Sequence, residues 1–322
     1  MAADERRSTL MKTKCLSAFI CVNRRPINDF FAASHGVPSG PGSERMSQPC
    51  QPRRTVTSGQ MIYTCYEMVR DCRDRLPEGW MHFISHYVPV VRQALAHYAP
   101  GRAGDRALLD HILVTVHKPE SFMFQSTEPP EERWFVAQLR QLMVAELAAP
   151  AAEISIGLET LTAALEPLTM TEKQAAWFET MRYSAAQAGP MLRVSPETVE
   201  KVRDRAAELI RGQVDSWRRT LLAENGPALG REAAAVATHD CLPTKAFLDV
   251  VDGRTTWRDR EMMDRHLRTC WHCVDHFCRM LEVVHLLRGS QPLSEAESEP
   301  FRTLLGVAAP KRTGWKRLIG RA

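Results

Sequence analysis

His266-Leu267-Arg268-Thr269-Cys270-Trp271-His272-Cys273, with Cys241 standing 25 positions before the histidine, decides how the C-terminal part of this chain folds. Zinc accepts thiolate sulfur and imidazole nitrogen in a tetrahedral shell, and a closed set of three cysteines and one histidine is a structural site. Two thiolates three residues apart reach one ion from a turn or a helix start. A histidine four residues earlier lies on the same side of a helix, because positions i and i+4 face together. Cys241 returns from a separate element, so an ion would staple two segments that local sequence leaves apart. The expected ligands are Cys241, His266, Cys270 and Cys273, and the expected cofactor is Zn2+. His239, His272, His276 and Cys278 are nearby spares. His272 sits inside the CxxC and Cys278 lies on the following helix, so both are worse placed. A CxxC alone is a weak signal, since cysteine is often a small buried apolar residue; the full spacing is far more specific.

Around the motif the sequence predicts three short helices. Cys241 leads the first, with Phe247, Leu248, Val250 and Val251 on it, and Asp252-Gly253 makes a turn. Thr256 caps the second, with Asp259 at the capping-box position. The third carries Val274, Phe277, Leu281, Val284 and Leu287 on one face and stops at Gly289. A segment of this size buries little surface, so a bound ion would supply much of its stability.

Upstream the apolar residues keep helical spacing. Trp80, Phe83, Ile84, Tyr87 and Val91 form one stripe; Leu108, Leu109, Ile112, Leu113 and Val116 form a second; Phe135, Leu139, Leu142, Met143 and Leu147 form a third. Such stripes are packing faces. Pro119 and Thr127-Glu128-Pro129-Pro130 mark loops, and 148–152 is a small-residue joint. Thr171 followed by Gln174 predicts a capped helix start. Ser195 caps a further helix with Pro196 at its first position, where the missing N–H costs nothing; Val199, Val202, Ala206, Leu209 and Ile210 form its inner face.

The expected fold class is therefore all-α: a helical bundle domain at 61–150, a helix-turn-helix domain at 155–225 and a small three-helix zinc-binding domain at 238–290. Residues 1–60 read as a disordered leader or a mis-assigned start, with Met46 and Met61 as alternative starts. Residues 291–322 read as a basic tail. The net charge of +4 conceals a division: the first 60 residues carry nine Lys/Arg against four Asp/Glu, residues 310–322 carry five Lys/Arg and no acid, and the remainder holds 28 basic against 34 acidic residues. An acidic body is a poor non-specific binder of nucleic acid. No apolar run is long enough to span a bilayer, so no stable membrane insertion is expected. Nine cysteines in 322 residues are too sparse for a disulfide scaffold, and the CxxC points to a reducing, cytoplasmic compartment.

The stretch from Leu165 to Arg211 resembles the helix-turn-helix domain of bacterial sigma factors of the extracytoplasmic-function type. The matching residues are Leu168, Glu172, Gln174, Leu192, Val194, Ser195, Thr198, Val199, Arg205 and Ala206. In such motifs the second helix enters the major groove with its N-terminal residues at base edges. The resemblance implies DNA contacts from Ser195, Glu197, Thr198, Glu200 and Lys201, with Arg203 and Arg205 at phosphates. The sequence departs from the family at Arg193, where the turn has glycine, and at Gly189-Pro190 in the preceding helix. Residues 61–147 resemble the helical domain of the same family that grips core polymerase and melts the promoter, through Trp80 to Val90 and Arg133 to Arg140. The segment 239–289 resembles the zinc-binding anti-sigma domain.

Two functions follow as expectations. One is a sigma-like transcription regulator that binds RNA polymerase core and promoter DNA, with a C-terminal zinc domain that gates or docks it. The alternative is a non-DNA-binding interaction protein whose zinc domain binds a separate sigma factor. No enzyme is expected: the chain has no Gly-rich phosphate loop, no His-Glu-x-x-His and no nucleophile elbow.

Overall fold

A computed structural model describes residues 63–102, 104–125, 131–147, 156–214 and 218–308. The expected leader, the loop at Thr127–Pro130, the joint at 148–152 and the basic end at 310–322 lie outside the described residues. Among those described, the regular structure is all helical, α-helices with one short 3-10 turn at Pro100–Arg102, and no strand occurs.

The first group of helices is α1 (Cys65–Arg73), α2 (Pro77–Tyr98), α3 (Arg106–His117), α4 (Phe122–Gln125) and α5 (Glu132–Glu146). Thr64 and Glu67 close a capping box on α1, and Asp105 caps α3. The stripe predicted on α2 is buried throughout, against Phe135 and Leu139 of α5. Phe135 meets Tyr87 edge-on at 4.9 Å, a favoured arrangement for aromatic pairs.

The second group is α6 (Leu158–Ala164), α7 (Met170–Thr180), α8 (Ala185–Leu192), α9 (Pro196–Arg211) and α10 (Leu221–Ala235). Helix α7 begins two residues earlier than predicted. Thr169, not Thr171, is its cap, and Glu172 completes the capping box. Lys173, Gln174 and Trp177 of this helix are buried. Ser195 caps α9 as expected, its hydroxyl accepting from the Thr198 N–H. Arg193 occupies the left-handed region at φ 59° in the turn between α8 and α9. A non-glycine residue there costs roughly 1–2 kcal/mol. Its guanidinium donates to the Val251 carbonyl at 3.0 Å, which offsets part of that cost. Gly189 is needed for close approach: a Cβ there would lie 2.8 Å from the Val194 carbonyl oxygen.

The third group is α11 (Thr244–Val251), α12 (Trp257–Leu267), α13 (Trp271–Gly289) and α14 (Glu295–Leu304). Thr256 caps α12, and Gly253 turns the chain at φ 70°. Residues 295–304 are not tail. Ser294 and Glu297 close a capping box on α14, the Leu293 N–H donates to Ser85 O at 2.8 Å, and Phe301 is fully buried against α2 and α3.

One hydrophobic core runs through all three groups, with α13 as its axis against α2, α5, α7, α8, α10, α11 and α12. Buried polar groups tie these elements together. Lys173 Nζ donates to the Arg268 carbonyl, and Trp177 Nε1 donates to Asp275 Oδ1 at 3.0 Å while its ring stacks on Trp271. Burial depresses the Lys173 ammonium below its ordinary value.

His82 offers a pH test of the first group. It stacks on His86 at 4.0 Å, and burial, aided by His86, pushes its pKa down to about 4. The unfolded chain therefore binds the proton first. The contribution of this site to stability is complete above pH of about 6.5 and is lost as pH falls toward 4. Urea denaturation between pH 7 and pH 4 is expected to give a shallower loss for His82→Gln than for wild type. Parallel slopes would remove His82 as a source of the acid sensitivity.

Candidate metal centre

Cys241 lies in the turn before α11, His266 in the last turn of α12, Cys270 at the N-cap of α13 and Cys273 in its first turn. Local backbone bonds set this geometry. The Cys241 N–H donates to Thr238 O, and the N–H groups of Thr269 and Cys270 both donate to His266 O. The chain thus closes a tight turn between α12 and α13 that places the imidazole beside the CxxC.

The four ligand atoms lie within 4.8 Å of one another. Cys241 Sγ is 3.7 Å from Cys270 Sγ, and His266 Nε2 is 3.2 Å from Cys273 Sγ. For zinc–sulfur bonds near 2.3 Å, a regular tetrahedron has an S···S edge of about 3.8 Å. The sulfur pair matches that edge; the His–Cys pair is somewhat closer than a tetrahedral shell requires. Cys273 is buried and the other three are half-buried.

Outer contacts favour anionic sulfur. The Leu242 N–H donates to Cys273 Sγ at 3.3 Å, and the Thr238 N–H donates to Cys241 Sγ at the same distance. Cys273 also sits at the positive end of α13, where the helix dipole favours a thiolate. Burial still dominates at two positions, raising Cys270 and pushing Cys273 up to about 12. Burial also opposes ionisation at Cys241, but the Thr238 donors and the neighbouring thiols outweigh it and hold that group below its ordinary value. Burial thus opposes the thiolate form at Cys270 and Cys273 more strongly than the protein donors favour it. A divalent ion held here would add positive charge, since metal coordination deprotonates a thiol outright.

The spare ligands go elsewhere. His272 Nδ1 is 3.1 Å from Ala233 O, His276 Nε2 is 3.1 Å from Thr244 Oγ1, His239 is exposed beside Asp240, and Cys278 is fully buried near Gln174 O. The Cys241, His266, Cys270 and Cys273 group could therefore hold a metal ion.

The residues expected at DNA divide into two sets. Ser195, Glu197, Thr198, Glu200, Lys201 and Arg205 are exposed on α9. Arg203 is not available to phosphate: it is buried, and its guanidinium donates to the carbonyls of Ala175 at 3.2 Å and Tyr183 at 2.8 Å. It fastens α9 to the preceding helices. Arg205 pairs with Glu172 at 2.9 Å, and Arg219 bridges Glu200 and Asp204 at 3.3 Å. The solvent face of α9 is thus close to charge-balanced.

Compared with known protein families, curated proteins and solved structures, the chain matches none. Among the described residues, no helix is long and apolar enough to cross a membrane.

Proposed function

We propose that this chain is a cytoplasmic, sigma-like transcription regulator whose C-terminal helices carry a structural zinc ion and dock in cis on its own helix-turn-helix. One observation carries the reading: the metal segment spends its long helix on the same chain. Lys173 and Trp177 of α7 are held by Arg268 and Asp275 beside the metal cluster, and Arg193 in the α8–α9 turn is bonded to the end of α11. That packing leaves the N-terminal face of α9 in solvent, where a recognition helix would need it. Zinc is favoured over harder cations because three of the four donors are sulfur, and four protein ligands close the shell, as a structural site requires.

A second reading has its own support. Arg203 is consumed internally and Arg205 faces Glu172, so α9 lacks the basic face that phosphate binding demands. On this reading the chain is an interaction protein that binds a separate sigma factor. Association of the zinc-loaded full chain with core polymerase and with promoter DNA, measured across a salt series, separates the two. The first reading expects promoter binding that requires core polymerase and weakens with salt. Salt-insensitive or absent promoter binding, together with stoichiometric capture of a free sigma factor, overturns it.

A further inference from the structure

A pocket of 230 Å³ opens where the helix-turn-helix meets the metal segment, between α7, α8, α11, α12 and α13. It is distinct from the metal cluster; none of the four ligand residues lines it. Its wall is apolar along Met191, Leu192, Val250, Phe277 and Leu281. Arg193, Arg260 and Arg288 also line it, all three exposed at its edge, and among the described residues no Asp or Glu does. A concave apolar wall with a few convergent polar groups is the usual form of a small-molecule site. Here every charged group at the pocket has the same sign.

Gln174 adds the observation that points to a ligand. It lines the pocket and is 3% exposed, yet its Nε2 has no hydrogen-bond partner among the described residues. Buried amide donors are nearly always paired, and leaving one unpaired costs roughly 1–3 kcal/mol. The missing partner is an acceptor. Met170 and Thr171, the first residues of α7, also form part of the wall. The unpartnered amide and the guanidinium groups at the rim call for an anion that accepts hydrogen bonds. The apolar wall calls for a hydrocarbon body attached to it.

The geometry points to a binding site for a small amphipathic carboxylate, with an aromatic or short aliphatic body of about a dozen non-hydrogen atoms. The planar carboxylate suits the guanidinium fork, which binds it through two parallel N–H···O bonds. An occupant would touch α8 and the α8–α9 turn on one side and α11 and α13 on the other. It would therefore strengthen the cis docking of the metal segment and raise the melting temperature, an effect that grows logarithmically with ligand concentration above Kd. The site rests on the pocket and stands whether or not the chain binds DNA.

Calorimetric titration of the zinc-loaded full chain tests this with 4-phenylbutyrate, its neutral amide 4-phenylbutyramide, and inorganic phosphate. Expected are saturable binding of the acid, and affinity weaker by about tenfold or more for the amide and for phosphate, the loss that one charge-assisted interaction carries. Arg260→Gln and Arg288→Gln, both surface changes, are each expected to weaken the acid and reduce the salt dependence of its binding. Gln174→Leu is expected to weaken it while raising the stability of the free protein. No saturable binding of the acid, equal binding of acid and amide, phosphate binding as tight as the acid, or wild-type affinity in both arginine variants would each overturn the assignment.

Discussion

Replacing Cys270 and Cys273 together with serine is expected to abolish metal uptake and to lower the melting temperature by about 10 °C or more. Structural zinc contributes roughly 10–16 kcal/mol of apparent binding energy in isolated zinc-binding peptides. Here the segment is also held by packing, so only part of that appears as lost stability. Cys273 is fully buried in the first turn of α13, and Cys270 is the cap of the same helix. Loss of the ion leaves two polar side chains at the root of the helix that forms the axis of the core. The damage should spread along α13. Trp271 follows Cys270 directly and stacks on Trp177 of α7 at 5.1 Å, so the near-ultraviolet circular dichroism of the tryptophans should change with metal loss. Elemental analysis should find one equivalent of zinc in wild type and none in the double variant. His272→Gln is the control, because that ring lies at Ala233 O and not among the four ligands. Wild-type protein that folds fully without metal, or a double variant that keeps its zinc, would sink the assignment.

The metal cluster was legible because its signals are local. His-x3-Cys-x2-Cys, the Thr256 cap and the Asp252-Gly253 turn each lie within a few residues, and backbone geometry over such distances follows from residue type. The same holds for Ser195 and for the stripe on α2. Local signals fail where two of them compete. Thr169-x-x-Glu172 and Thr171-x-x-Gln174 both fit the capping-box pattern, and the structure uses the first. They fail again where a charged residue turns inward. Lys173, Arg140 and Arg203 are charged yet buried, and their partners lie 95, 142 and 20 or more residues away. No periodicity marks such a residue, because its burial depends on an acceptor brought up by tertiary packing. Arg203 is the case that matters for function, since it removes one expected phosphate contact. Helix α14 carries local signals as well: the capping box at Ser294 and Glu297 and the buried Phe301 precede the basic run that gives 291–322 the composition of a tail.

The second large effect concerns a clamp that does not use the metal. Glu282 on α13 is fully buried. It accepts from Arg140 Nε of α5 at 2.6 Å, from the Tyr183 hydroxyl at 2.8 Å and from the Tyr98 hydroxyl at the end of α2. Arg140 Nη2 also donates to Tyr98 Oη at 2.5 Å. Burial works against the Arg140 cation, but the facing carboxylate more than compensates and holds the guanidinium above its ordinary range. One carboxylate thus joins α2 and α5 of the first group, the turn before α8, and α13. Arg140→Met is expected to cost about 3–5 kcal/mol, because it leaves Glu282 buried without its counter-charge. Adding Glu282→Leu should recover part of that loss. Recovery should be incomplete, since the Tyr98 and Tyr183 hydroxyls would then be buried without an acceptor at about 1–3 kcal/mol each; adding Tyr98→Phe and Tyr183→Phe should restore more. Urea denaturation of wild type, Arg140→Met, Glu282→Leu alone and the double variant at constant pH gives the coupling directly. Zinc content is the discriminating second readout. The clamp and the metal cluster share α13 but no side chain, so Arg140→Met should retain its full equivalent of zinc while folded. A cost below about 1 kcal/mol for Arg140→Met would mean that the pair is solvated and no clamp. Zinc lost along with stability would mean that the metal segment holds its shape only while it is docked on the rest of the chain.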